Sequence, residues 1–129
     1  MLVRIAVALV TISALAHVYF LYRELFAAPD LAAKLLKIEF SDPLIETDEA
    51  IQKLLWNQGV YNGFLAAGLL LSFVQSARAA WQTRLVVSAC IFVAGVFGVA
   101  TVGNLLAVQI VLGGATFVAV YLTGSENEG

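Results

Sequence analysis

Three long runs without a charged side chain dominate the pattern of this sequence. They cover residues 5–22, 85–102 and 105–122. Eighteen residues of helix are about 27 Å long, close to the ~30 Å thickness of a bilayer's hydrocarbon core. A further apolar run, broken by polar side chains, follows a helix-capping pattern at Thr47. We therefore predict membrane-spanning helices at about 4–23, 48–75, 84–102 and 105–123.

The connections between the runs indicate how these helices are arranged. Only Gly103 and Asn104 separate the last two, which requires an antiparallel pair. Residues 75–84 are expected to form a short polar turn, and residues 125–129 a disordered acidic tail. The long connection after the first helix contains Pro29 and the spaced apolar residues Leu31 and Leu35, which predict an amphipathic segment on the membrane surface. The predicted fold is all-α, a four-helix antiparallel transmembrane bundle over residues 1–124.

The composition agrees with a membrane protein. Of the 129 residues, 61% are hydrophobic and 12% are charged, far from the balance of a soluble domain. The net charge of −2, without a basic cluster, argues against a nucleic-acid partner. Arg4 and the small residues around Ala14 resemble a cleaved secretory signal, but the apolar run continues through Leu21. We expect an uncleaved first span.

Four antiparallel spans place both termini on one side of the membrane. Arg4, Arg78 and Arg84 share that side, and four basic residues lie on the other. Three against four does not decide orientation by the positive-inside rule. Because Arg78 and Arg84 stand close to the helix ends, we favour the cytoplasmic membrane with both termini in the cytoplasm.

A string of polar residues lies inside the predicted second span. At about 100° per residue, Asn57, Tyr61, Gln58 and Asn62 fall at about 0°, 40°, 100° and 140° of one helix face. Hydrocarbon offers such groups no hydrogen-bond partners. They are therefore expected to line a cavity or to pair with polar groups of other helices.

Polar residues on other spans are predicted to converge on this string. His17 and Glu24 lie seven residues apart on one stripe of the first helix, with Tyr19 to one side, and Gln109 lies about one turn from the start of the fourth. In the predicted topology these positions share one leaflet. We expect His17 to be neutral and hydrogen-bonded to an amide or phenol. A shared cavity would be lined by His17, Glu24, Asn57, Gln58, Tyr61, Asn62 and Gln109.

Simpler interpretations of the same residues stay open. Amides between membrane helices often serve only as interhelical hydrogen bonds worth about 0.6 kcal/mol each. Glu24 stands where the span meets water, and His17 could be a packing residue, a proton carrier or a ligand. One histidine and one glutamate are too few for a tetrahedral zinc site, and Cys90 is the only cysteine, so no metal site is predicted.

Small residues indicate close helix contacts. Gly59 and Gly63 form a GxxxG pair, and Ala94 and Gly98 are likewise four apart. Packing within the bundle is the first interpretation and a homodimer the second. Gly113 and Gly114 are either another close contact or a weak point of the fourth helix.

The stretch Asn57 to Leu69, NQGVYNGFLAAGL, closely resembles the uncharacterised integral membrane family catalogued as domain of unknown function 1304. His17-Val18-Tyr19, Glu24, the AGVFG run and Gln109 also resemble that family's patterns, in the same order. The family's usual tryptophan after the glutamate is missing here, and Leu112-Gly113 replaces a common proline. The resemblance implies a compact four-helix membrane domain and these candidate functional positions: His17, Tyr19, Glu24, Asn57, Gln58, Tyr61, Asn62 and Gln109.

The resemblance leaves activity and cofactors open, so function is inferred from the residues. Amides and phenols around few charges suit a small, largely apolar, quinone- or lipid-like molecule that is bound or transported. The alternative is a membrane-embedded enzyme with His17 and Glu24 as acid and base and Tyr61 or an amide steadying negative charge. A third possibility is a structural module that assembles through its glycine faces.

Overall fold

The computed structural model describes residues 1–27, 45–101 and 103–124, apart from the side chains of 45–50 and 105. These form four α-helices: α1 (Leu2–Phe26), α2 (Ile45–Leu71), α3 (Ala77–Thr101) and α4 (Ala107–Gly124). No strand occurs in this part of the chain. The predicted all-α fold with four helices is confirmed. The amphipathic segment after Pro29 and the tail at 125–129 fall outside the described residues.

Several helix boundaries differ from the sequence prediction. Helix α2 begins at Ile45, so Thr47 lies inside the helix and does not cap it. The predicted turn over 75–84 is wrong, because α3 begins at Ala77 and includes Arg84. Alanine, arginine and glutamine are good helix formers, so this polar stretch continues the helix. The turn consists of residues 72–76.

The link between α3 and α4 is as short as predicted. Gly103 has a φ of 114°, a left-handed conformation that glycine adopts without strain. A single 3-10 turn, Asn104–Leu106, then leads into α4. The resulting hairpin sets α3 and α4 antiparallel.

The helices contact one another in a cyclic order. Helix α1 packs on both α2 and α4, α3 packs extensively on α4, and α2 and α3 touch less. Neighbours run antiparallel, and Val3 near the start of α1 and Thr123 near the end of α4 line the same cavity. Both ends of the described chain therefore lie at one end of the molecule.

Glycines form the closest helix contacts. Gly59 and Gly63 face α1, where a Cβ added to Gly59 would lie 3.1 Å from the Glu24 Cβ. This pair therefore packs within the chain, the first of the two interpretations. On α3 Gly98 of the predicted Ala94–Gly98 pair lies against the Leu106 side chain, whereas Ala94 is exposed and the buried Gly95 makes the other close contact. Gly113 of α4 lies directly against the backbone of Phe92.

Three helices, α1, α3 and α4, are long and apolar enough to cross a membrane. Their outward faces carry large apolar side chains, including Leu15, Phe97 and Val111, which are 61%, 72% and 67% exposed. Surfaces of this kind suit a lipid bilayer. Helix α2 is not among the three, since Asn57 and Gln58 lower its mean hydropathy. It nevertheless lies along α1 through Gly59 and Gly63, and its crossing of the membrane stays a prediction.

A buried hydroxyl pair joins α1 to α4 within the apolar core. The Ser13 Oγ and Thr116 Oγ1 atoms are 2.9 Å apart. Both side chains are fully buried, and Val10, Ala14 and Val120 belong to the core around them. The two buried hydroxyls therefore satisfy each other's hydrogen-bonding capacity away from solvent.

We expect Thr116→Val to destabilise the protein by about 1 kcal/mol or more, because the Ser13 hydroxyl loses its partner. The double variant Ser13→Ala/Thr116→Val should cost less than the sum of the single changes, with a coupling of about 0.6 to 1.7 kcal/mol. Denaturation in mixed micelles measures both quantities. Thr11→Val, at an exposed position on α1, is the control and should change stability by no more than about 0.5 kcal/mol. Strictly additive single changes would contradict the pairing.

Candidate functional site

A direct contact between α1 and α2 is the centre of the candidate site. The Asn62 Nδ2 donates a hydrogen bond of 2.7 Å to Glu24 Oε2. Asn62 is 2% exposed and Glu24 is half-buried. Gly59 makes the approach possible, since a side chain there would crowd the Glu24 Cβ. Two polar residues that the sequence placed on separate spans thus meet as a charge-assisted pair.

His17 lies two turns away from this pair on α1 and is fully buried. Its Nδ1 is 2.8 Å from the carbonyl oxygen of Ser13, which can only accept, so Nδ1 carries the hydrogen. The predicted amide or phenol partner is therefore wrong, because the helix backbone one turn earlier is nearer. The second nitrogen, Nε2, is buried with no partner in the part of the chain that the structure describes. One nitrogen of this buried ring therefore lacks a hydrogen bond among the described residues.

Gln109 is the third buried polar residue at this level. It is 7% exposed and packs against Gly95 of α3. The Ser13–Thr116 contact fixes the antiparallel register of α1 and α4, which puts Gln109 opposite residue 20 of α1, between the levels of His17 and Glu24. Its amide makes no hydrogen bond with any residue that the structure describes. Three of the four helices therefore bring a buried polar side chain into a zone about 10.5 Å deep, between the levels of His17 and Glu24.

The remaining predicted positions do not join this group. Asn57 and Gln58 are exposed, Tyr61 is 53% exposed, and Tyr19 is 55% exposed. The Tyr19 hydroxyl accepts a long hydrogen bond of 3.5 Å from Arg23 Nη1. The expectation that all seven polar residues line a single cavity is thus not met, because only Asn62 of the α2 string points inward.

The geometry limits the chemistry of the site. His17 and Glu24 are seven residues apart on one helix, about 10.5 Å along the axis, too far for direct proton exchange. No cluster of three His, Cys, Asp or Glu side chains that would hold a metal occurs among the described residues. What the site offers are hydrogen-bond donors and acceptors: the His17 Nε2 edge, the Gln109 amide and the Glu24 carboxylate.

A second polar region, missed by the sequence analysis, lies at the end of the molecule where both termini meet. A cavity of about 330 Å³ is lined there by the start of α1, the 72–76 turn, the start of α3 and the end of α4. Arg84 is its charged wall, and its Nε donates to Ser72 Oγ over 2.9 Å. The signal in the sequence is an arginine followed directly by the charge-free run from residue 85. Arg84 lies seven residues inside α3, whereas the sequence prediction assigned it to a turn.

Comparison with known proteins agrees with the family resemblance. Searches of curated proteins and of solved structures found no match to the chain. The family model described as "Protein of unknown function (DUF1304)" matches residues 11–122, a range that contains most of α1, the whole of α2 and α3, and α4 up to Leu122. The chain belongs to this membrane family, the proteins of unknown function DUF1304.

Proposed function

We propose that this protein binds, or carries across the membrane, a small and largely apolar molecule at the level of His17, Asn62 and Gln109. The observation that carries the proposal is the His17 ring, fully buried yet with its Nε2 unpartnered among the described residues. A buried polar atom without a partner costs free energy, about 1 to 3 kcal/mol. A ligand that supplies the missing hydrogen bond removes that cost.

The class of ligand follows from the groups at this depth. The Glu24 carboxylate is already engaged by Asn62, which lowers its demand for a cationic partner. The other polar groups are an imidazole edge, which packs on the Phe20 ring, and a neutral amide, and the buried core of the bundle includes the apolar Ala14 and Leu69. Because Nδ1 of the imidazole carries the hydrogen, Nε2 accepts, so the ligand must donate to it. A quinol, or another quinone- or lipid-like molecule with a hydroxyl group on an apolar body, suits this combination.

We also propose that the molecule lies in the cytoplasmic membrane with both termini in the cytoplasm. The count of basic residues does not decide this, so the proposal rests on position: Arg78 and Arg84 stand close to the helix ends on the side where the termini gather, where basic residues favour the cytoplasm. An accessibility assay on single-cysteine variants at the two ends tests this orientation. Cys90 is exposed on α3 and must be replaced first.

Mass spectrometry of lipid extracts from purified protein tests the binding proposal. The wild-type chain should retain a molecule enriched over the bulk lipid extract, and Asn62→Ala should lose most of it because Glu24 is released from its position. Asn57→Ala is the matched control, since it removes an exposed amide five residues away on the same helix and should retain the molecule. Both variants are compared as monodisperse, folded samples.

A retained molecule in both variants, or no enriched molecule in the wild-type protein, would overturn the proposal. His17→Phe provides a second and independent variant, because an aromatic ring of similar size fills the buried space and lacks the nitrogen. It should also lose the molecule while keeping the fold.

A further inference from the structure

The cavity that Arg84 lines has features of an anion site. Its walls come from the start of α1, the start of α3, the end of α4 and the 72–76 turn that follows α2, so it lies between elements and is not a groove on a single helix. Its volume of about 330 Å³ is within the range of small-molecule pockets. Polar groups from Ser72, Gln75, Arg84 and Thr123 share the lining with apolar residues.

Arg84 is held in place before any ligand arrives. Its Nε donates to Ser72 Oγ at 2.9 Å and its Nη2 to the Ser72 carbonyl oxygen at 3.3 Å. The guanidinium also lies over the Phe73 ring, 5.0 Å from its centroid. These contacts use two of five N–H groups, and the other three remain for a ligand. A fixed guanidinium loses little entropy when it binds a planar or tetrahedral anion.

The charge of Arg84 is not neutralised by any described residue. Glu24 is the only carboxylate among the side chains that the structure describes, and it pairs with Asn62. Asn62 and Ser72 are ten residues apart along α2 and its end, about 15 Å. Within the described residues this half-buried cation has no counter-ion, and a negative ligand at this position would stabilise the protein.

A second observation in the same cavity supports a ligand. The Gln75 Oε1 atom, at the 72–76 turn, is buried and has no hydrogen-bond partner in the described part of the chain. In the present orientation of the amide, a ligand hydroxyl would donate to Gln75 Oε1. If the amide is flipped, its Nε2 takes that position and donates to an anionic oxygen. The apolar part of the lining, including Val3 and Val7 of α1 and Val120 of α4, suits hydrocarbon.

We propose that this cavity binds the phosphate headgroup of an anionic phospholipid, with the guanidinium of Arg84 on the phosphate oxygens and the acyl region along α1. Arginine and phosphate form bidentate, charge-assisted hydrogen bonds. Basic pockets between membrane helices are recognised headgroup sites. Arg84 stands about 10 Å inside the start of α3, within reach of the interface for so long a side chain.

Trp81 provides a local probe of occupancy, since it lines this cavity and donates from Nε1 to the Val120 carbonyl oxygen. The chain has two tryptophans, so the full chain with Trp56→Phe reports from Trp81 alone. We expect phosphatidylglycerol, added to neutral detergent micelles, to change Trp81 emission at a lower mole fraction than phosphatidylcholine with the same acyl chains. Arg84→Gln should raise the phosphatidylglycerol midpoint about tenfold.

Arg78→Gln is the matched control, because Arg78 is an exposed arginine on the same helix and end. It should shift the midpoint less than about twofold. Ser72→Ala leaves the arginine in place and removes the hydroxyl that holds its Nε, so it is a second test that does not depend on losing the charge. It should raise the midpoint about threefold. Asn62→Ala, at the other site, should leave the midpoint unchanged.

Equal midpoints for the two lipids, or equal effects of Arg84→Gln and Arg78→Gln, would overturn the headgroup site. Inorganic phosphate alone is the third arm. If it changes Trp81 emission as strongly as phosphatidylglycerol does, the site takes free phosphate and the lipid assignment is wrong. A response confined to phosphatidylglycerol and dependent on Arg84 supports it.

Discussion

Gly113→Ala is expected to destabilise the protein by about 2 kcal/mol. A Cβ at this position would lie 2.5 Å from the backbone nitrogen of Phe92 and 2.8 Å from its Cα. Backbone atoms cannot rotate out of the way, so α3 and α4 must move apart along their closest contact. Overpacking of this kind costs about 1 to 3 kcal/mol or more. The higher helix propensity of alanine, about 1 kcal/mol, offsets part of it.

The adjacent residue is the matched control for this prediction. A Cβ on Gly114 would meet the Phe92 ring at 3.2 Å, and a ring can shift by a few tenths of an ångström. Gly114→Ala should therefore change stability by less than about 1 kcal/mol, in either direction. Unfolding by sodium dodecyl sulfate in mixed micelles, followed by circular dichroism, measures both variants. Equal stability of the two would contradict the α3–α4 contact described above.

Asn62→Ala is expected to cost about 1.5 to 3 kcal/mol, because the half-buried Glu24 carboxylate loses the amide that hydrogen-bonds to it. Glu24→Gln should cost less, about 1 kcal/mol, since a glutamine oxygen still accepts from Asn62. In the Asn62→Ala background, Glu24→Gln should lower the free energy of unfolding by less than it does in the wild-type protein, or should raise it, because the carboxylate has already lost its partner. The same unfolding assay completes this cycle.

Asn57→Ala is the control here as well. Asn57 is exposed, so its loss should change stability by no more than about 0.5 kcal/mol. If the Asn62→Ala and Asn57→Ala variants were equally stable, the Glu24–Asn62 hydrogen bond would make no measurable contribution to the free energy of unfolding. The polar group at this level would then have to be explained by the ligand alone.

Helix number and approximate extent follow from the sequence because charge-free runs of 18 residues leave few alternatives. The ends of the helices do not. Arg78 and Arg84 lie within α3, although two charges near an apolar run are also typical of a turn. Only tertiary contacts decide this, since Arg84 reaches back to Ser72 across the turn.

The rotation of α2 explains why half of the predicted site faces outward. If Asn57 is at 0°, then Gly59, Gly63 and Ala66 fall at about 200°, 240° and 180°. Gly59 and Gly63 pack against α1, and Ala66 on the same face is buried. Asn62, at about 140°, lies at the edge of the packed face, whereas Asn57 is opposite it.

The inward positions could therefore have been predicted by combining the two patterns in the same segment. The glycine spacing fixes the rotation of the helix, and the polar spacing then identifies which amide it turns inward. Polarity alone predicted an inward face for Asn57, Gln58 and Tyr61, which are exposed. The role of Arg84 depends on the contact between the start of α3 and Ser72, for which the sequence has no comparable signal.

The pairing of Glu24 with Asn62 has a consequence for biogenesis. The two groups are contributed by consecutive helices, so neither is satisfied in lipid until both are present. Helix α2 is also the least apolar of the four, so by itself it would partition only weakly from a translocation channel into the bilayer. We expect α1 to be retained at the translocation channel until α2 has been synthesised. The two helices then enter the bilayer together as a paired hairpin.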